Sequence, residues 1–369
     1  MQPFIPLESA IQVLQHLIAI PSFSREEQAT ADYLEQFLRD QRVEVQRCKN
    51  NIWARNRYAD PQKPTILLNS HHDTVRPNSG YRSDPFLPSL EVLDTHPFSE
   101  KRQLFGLGST DAGGSLVALL FTFLEFYERK DLPYNLVVAA TAEEEISGKD
   151  GIESLFPALG PIAFGIVGEP TQCAMAVAER GLLVVDGIAH GKAGHAAREE
   201  GINALYLALD DLHQIRNYSF ERVSELLGPV KVTATQLQAG SQHNVVPATC
   251  TFTLDIRVNE CYQLEEVFET LDRLTTSELR ARSFRLRPSS ISLHHPLVQA
   301  GLKLGLTTYG SPTSSDQALM PFPTLKIGPG DSARSHSADE FIYIHELADG
   351  LHCYRQLLQT LFDSTHEQR

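Results

Sequence analysis

The chain has 369 residues, 42% hydrophobic and 21% charged, which are ordinary globular values and leave room for about two domains. Lys plus Arg number 32 against 46 Asp plus Glu, and the resulting net charge of −14 argues against a binder of nucleic-acid backbones and against docking on anionic membrane.

The opening stretch, MQPFIPLESAIQVLQHLIAIPS, has no basic leader segment and carries Glu8 in its apolar part. Leu7, Ile11, Leu14 and Ile18 repeat at helical spacing and predict an amphipathic helix laid on a core. No apolar run reaches the roughly 18 residues of a membrane span. Ser24, followed by Arg25, Glu26 and Glu27, reads as a capping box, with a helix to about residue 39 and Ala29, Tyr33 and Phe37 on one face. Strands are expected at residues 43–45, 52–54 and 65–69. A helix over 113–129 should bury Leu116, Leu119, Leu120, Phe123 and Tyr127, and the apolar run 135–141 reads as a strand covered on both faces. A short helix near 151–156 and a strand at 163–167 extend the alternation of strand and helix, which predicts an α/β layer architecture with a mixed sheet flanked by helices.

The pattern changes after Glu169-Pro170-Thr171. A strand at 182–189, a helix over 201–215, strands at 230–237 and 248–257, a helix over 263–281 and a strand at 284–286 follow. This β-α-β-β-α-β order is ferredoxin-like and predicts an α+β domain inserted over 178–286, within a discontinuous catalytic domain of 1–177 and 287–369. A helix over 296–308, a strand at 324–327 and a helix over 345–362 resume the first pattern, and the chain end is expected to fray. The cysteines (Cys48, Cys173, Cys250, Cys261, Cys353) are odd in number and form no C-x-x-C pair, which predicts reduced thiols and a cytoplasmic setting.

The residues with chemistry stand where predicted strands end. His71-His72-Asp73 follows one strand, Glu143-Glu144-Glu145 another and Glu169 a third; Asp111 precedes a helix, and His336 follows the strand at 324–327. In α/β sheets, sites form beyond the carboxyl ends of strands. Singly, each has an ordinary reading: a loop hydrogen bond, a solvated charge run, an N-cap, a turn residue, a surface histidine. Together they read as a catalytic metal centre, because imidazole and carboxylate without thiolate suit zinc, cobalt or manganese. One ion would take His71 and Glu169, a second Glu145 and His336, with Asp111 bridging. Three carboxylates then offset most of the charge of two divalent ions. Glu144 is the base expected to take a proton from the attacking water and deliver it to the leaving group. Asp73 fits a partner that orients the His71 ring.

These segments resemble the di-zinc amidohydrolase family that includes acetylornithine deacetylase, succinyl-diaminopimelate desuccinylase, aminoacylase and glutamate carboxypeptidase. The matching motifs are His71-His72-Asp73, Gly106-Leu107-Gly108-Ser109-Thr110-Asp111, Glu144-Glu145, Glu169-Pro170-Thr171, and His336 before Asp339-Glu340. The resemblance implies two zinc ions per chain and a cis peptide after Asp111. It also implies that the inserted block is a lid and homodimerisation domain. Within it, His195 of Gly191-Lys192-Ala193-Gly194-His195 would donate to an oxyanion in the partner subunit's site. Asn244 and Arg257 would hold the substrate's α-carboxylate, although a structural salt bridge serves Arg257 equally well. The implied reaction is deacylation of an N-acyl-L-amino acid, with acetylornithine or acetylcitrulline in arginine biosynthesis as the lead. Succinylated substrates and dipeptides are the rivals, and Glu179 is read as disfavouring a succinyl carboxylate. Gly108–Ser115 misses the P-loop lysine at Gly114, which removes a nucleotide reading. A non-catalytic amino-acid-binding or scaffold protein is the alternative of a different class.

Overall fold

The structure, a computed structural model, describes residues 7–93 and 101–366. The chain end expected to fray, residues 367–369, lies outside the described residues. The chain forms two compact units: Met1–Val177 with Ile291–Tyr309 and Ser315–Arg369, and Ala178–Ser290 with Gly310–Ser314.

In chain order the elements are α1 (Leu7–Ala19), α2 (Gln28–Asp40), β1 (Val45–Cys48), β2 (Asn51–Arg55), β3 (Thr65–His71), β4 (Ser89–Leu93), β5 (Lys101–Phe105), α3 (Gly114–Phe126), β6 (Asn135–Thr141), α4 (Phe156–Leu159), β7 (Phe164–Val167) and β8 (Met175–Glu179). Then come β9 (Gly181–His190), β10 (Gly194–His195), α5 (Ala204–Asn217), β11 (Lys231–Ala239), β12 (Val245–Val246), β13 (Thr249–Val258), α6 (Leu264–Leu274), β14 (Glu278–Ala281) and β15 (Ser289–Ser290). The chain closes with α7 (Pro296–Lys303), β16 (Thr308–Ser311), β17 (Thr324–Lys326), β18 (Phe341–Tyr343) and α8 (Ile344–His366).

The first unit is built on a mixed sheet in the order β1-β2-β6-β3-β7-β17-β8. Strands β6, β3, β7 and β17 run parallel and are buried along their whole length. Their side chains alternate between two cores. Ile66, Leu68, Leu136 and Val138 face the core that contains α1, α3 and α8, while Leu67, Val137 and Ala139 face the one with Ile152 and Leu155. Because these strands are parallel, their carboxyl ends share one edge. His71 pairs with Thr141, and Asn69 and Lys326 both pair with Val167.

The second unit has the ferredoxin-like order, an antiparallel sheet β11-β13-β9-β14. Burial alternates along β9 and β13, and the buried face packs on α5 and α6 through Leu183, Val185, Ala208, Val267 and Leu271.

Several expectations need correction. Ser24 is not the cap of α2: its hydroxyl donates to Asp73, and the helix starts after Glu27, with Thr30, Ala31, Leu34 and Leu38 on the buried face. The helix predicted over 263–281 ends at Leu274. The buried Asp211 carboxylate accepts from the Thr276 and Ser277 amides and the Ser277 hydroxyl, and the chain turns into strand β14 where helix had been expected; no strand forms at 284–286. The helix predicted over 296–308 ends at Lys303, before Gly305, whose φ of +80° is outside helical space. The three-stranded sheet β18-β5-β4 and strand β8 were not foreseen. Among the described residues no helix is long and apolar enough to cross a membrane.

Candidate metal centre

His71 closes β3 and is buried. Its Nδ1 lies 2.9 Å from the Asp73 carbonyl oxygen, which can only accept, so Nδ1 carries the proton and Nε2 faces the cluster. Around Nε2 stand Asp111 Oδ1 at 3.2 Å, Glu169 Oε1 at 3.8 Å and Glu144 Oε2 at 3.9 Å. On the other side His336 Nε2 lies 2.9 Å from Glu145 Oε2 and 3.6 Å from Asp111 Oδ2. Asp111 therefore turns one oxygen to each histidine. Ligand atoms of His71, Asp111 and Glu145, and of His71, Glu144 and Glu169, form two groups within 4.8 Å.

Three buried carboxylates shape the backbone that carries these side chains. Asp73 accepts from the Glu144 and Glu145 amides at 3.0 and 3.2 Å, and its Oδ1 lies 3.5 Å from His71 Nδ1. Glu340 accepts from the Gly108, Thr110 and Asp111 amides at 3.0, 2.8 and 2.9 Å. Glu27 accepts from the Glu143 amide and from Asn50. Asp316 is a fourth: its Oδ2 accepts from Asn69, two residues before the end of β3, and from Thr141, the last residue of β6. Sequence reasoning missed Asp316, read Glu27 only as part of a helix capping box, and quoted Glu340 only as part of a motif.

The turns are strained where the ligands sit. Glu143 and His336 both adopt φ of +57°, a region costly for residues with a Cβ. Gly108 has φ of +76°, and a Cβ there would lie 2.7 Å from Thr74 Cγ2, which is why glycine precedes the Asp111 turn. The Asp111–Ala112 peptide is cis, as the family resemblance implies.

Electrostatics point to cations. Burial pushes Glu144 well above the usual carboxylate range, with Glu169 and Asp316 adding to it. Burial likewise pushes Glu169 up to about 8. Burial would lower His71, but Glu144, Asp111, Asp73 and Glu169 outweigh it and hold the ring well above its ordinary value. The hydrogen bond to Glu145 pushes His336 up to about 9. Asp111 is held low despite burial, because His71 and His336 face it. Carboxylates crowded out of water in this way either keep protons or hold metal, and the imidazole–carboxylate set fits two divalent ions.

The remaining expected site residues lie in the second unit. His195, in β10, pairs with Val245, and its Nδ1 accepts from the Ala197 amide; the ring's donor is therefore Nε2–H, on an exposed side chain. The Asn244 carbonyl accepts from the Ala196 amide beside it. Arg257 makes a two-point ion pair with Asp255, at 2.8 and 3.1 Å. Glu179 ends β8 fully buried, which removes the reading that its charge confronts a succinyl group.

The sequence profile described as peptidase family M20/M25/M40 matches residues 67–360. A peptidase M20 domain-containing protein of Schizosaccharomyces pombe is 27% identical over 95% of this chain and 84% of its own. A probable carboxypeptidase of Talaromyces marneffei is 26% identical over 94% and 84%, and succinyl-diaminopimelate desuccinylase 2 of a Ruegeria species 24% over 96% and 95%. Among solved structures, aminopeptidase PepT from Bacillus cereus superposes with a TM-score of 0.77 at 18% identity, covering 96% of this chain and 98% of that one. A dinuclear metal-binding M20 peptidase from Bacillus subtilis gives 0.71 at 15%, covering 97% and 98%.

Proposed function

We propose that this chain, which belongs to peptidase family M20/M25/M40 and is a metallo-hydrolase of that family, cleaves the amide of an N-acyl-L-amino acid. The observation that carries this is Asp111, with one oxygen toward His71 and the other toward His336, beside a buried Glu144. Two zinc ions, with cobalt or manganese as substitutes, would be held by His71 and Glu169 and by Glu145 and His336, Asp111 being shared. When bound, such a pair polarises the scissile carbonyl and makes water acidic enough to attack.

The chain's own residues do the rest. Glu144 takes the proton of the attacking water and passes it to the leaving amine. Its burial raises it well above the usual carboxylate range, which makes it a stronger base, and Asp73 fixes its amide. Asp73 also turns His71 through its carbonyl. His195 of a second copy of the chain would donate Nε2–H to the developing oxyanion. Asn244 and Arg257 would grip the α-carboxylate, Arg257 exchanging its Asp255 partner for the ligand.

N-acetylornithine or N-acetylcitrulline, in arginine biosynthesis, is the leading substrate; a cytoplasmic homodimer joined through the inserted unit is the expected assembly. The relatives named as a desuccinylase and a carboxypeptidase support amide hydrolysis in general, and they favour as a second reading a succinylated amino acid or a short peptide. The test is amine release by the zinc-loaded protein from acetylornithine, acetylcitrulline, succinylornithine, succinyl-diaminopimelate and a dipeptide, each with and without chelator. Chelator-sensitive turnover of an acyl-amino acid is expected. Turnover of the dipeptide alone moves the assignment to peptidase, and silence with two metals bound per chain moves it to a binding role.

A further inference from the structure

Cys173 and Cys353 are free thiols that line one pocket and share one core. Cys353 lies in the core between the sheet and α8, and Cys173 packs against that core. Cys173 sits in the turn after Glu169, at φ of +58°, with its amide held by the Gly328 carbonyl and that of Gln172 by Gly330. Both cysteines line a pocket of about 520 Å³, partly open, whose wall also carries His345, Asp349 and His352 of α8. The hydrolysis proposed above uses neither thiol.

Two thiols on the wall of one pocket, packed on the same core, are suited to exchange with a small molecule that enters it. We propose that Cys173 and Cys353 form a reversible modification site, closed into a disulfide by a small-molecule disulfide that enters this pocket. One protein thiolate attacks a sulfur of the small disulfide, forming a mixed disulfide and expelling one small thiolate. The other protein thiolate then attacks the protein sulfur of that mixed disulfide and expels the second. The protein pair is oxidised and loses two thiol protons, and the small disulfide is reduced to two thiols. The interaction with Cys173 holds the Cys353 thiol below its ordinary value, which favours the thiolate there. In a reducing compartment such a bond is transient and responsive rather than structural. Once formed, it ties α8 to the turn that follows Glu169.

The test is a peptide map by mass spectrometry of the full-length, zinc-loaded protein after exposure to oxidised glutathione. The expected product is a Cys173–Cys353 disulfide with no retained glutathione, reversed by dithiothreitol, while Cys48, Cys250 and Cys261 stay reduced. The Cys173→Ser and Cys353→Ser variants, lacking the resolving partner, should each retain one glutathione on the remaining cysteine. Wild-type protein that keeps a glutathione adduct, or whose oxidation falls on Cys48 or Cys261 and spares the pair, overturns the proposal. The wild-type map decides alone should either variant fail to fold.

Discussion

Glu144 stands at ligand distance from His71 yet is assigned to proton transfer, and the distinction is testable. Glu145, not Glu144, pairs with His336 and groups with Asp111. Glu144→Gln keeps the shape and removes the base, so kcat should fall by about 10²–10⁴ while metal analysis still finds two ions per chain. Loss of a metal would instead make Glu144 a ligand. The ligands themselves make a second prediction. Free of metal, Glu169 titrates at about 8 and His336 at about 9, so both carry protons at neutral pH. Ligands must be deprotonated to bind. Zinc uptake should therefore release protons at pH 7, and the number released should fall as pH rises through that range, with apparent affinity rising in step. Calorimetry in buffers of different ionisation heats counts these protons; identical heats at pH 7 would refute the reading.

At the scale of elements, the centre is a set of strand ends and turns held in place by buried carboxylates. Asp316, only 3% exposed, accepts from Asn69 at 2.8 Å and Thr141 at 2.9 Å and so joins the ends of β3 and β6, which present His71 and Glu144. Asp316→Ala leaves two buried donors without their acceptor and should cost about 1–3 kcal/mol of stability. Asp316→Asn keeps an acceptor but removes a negative charge that raises Glu144. The acid limb of its kcat profile should therefore move to lower pH. A limb that stays in place would leave Asp316 a merely structural role. The same geometry explains what could be read in advance. His71, Glu144, Glu145 and Glu169 each follow a continuous apolar strand, and Asp111 follows Gly106 and Gly108; these are local signals. Asp316, Glu340 and Glu27 meet their partners 247, 230 and 116 residues away, and no local pattern records such pairings. The helix over 263–281 was misread for the same reason, since the carboxylate that receives the Thr276 and Ser277 amides is Asp211, 65 and 66 residues earlier.

At the scale of the whole molecule, the longer of the inserted unit's two edge strands has no second partner among the described residues. Strand β11 pairs with β13 on one side only and, apart from half-buried Val232, its nine residues are exposed, among them Leu237. Folded proteins usually blunt such an edge, and one left long and free is a template for a second chain. A homodimer paired there would complete what a single chain cannot supply if His195 works in trans. His195→Ala and Glu144→Gln should each be nearly inactive alone. In a randomly exchanged equal mixture half of the dimers are hybrids, each with one complete site, so activity should return to about a quarter of wild type. A proline placed at Thr235 should weaken the pairing and abolish the recovery, because proline removes an amide and disfavours strand pairing. Subunit exchange shown by mass spectrometry without recovered activity would eliminate donation in trans, and a monomer at every concentration would eliminate the dimer itself. Both outcomes leave the metal ligands untouched, since His71, Asp111, Glu145, Glu169 and His336 all lie within the first unit.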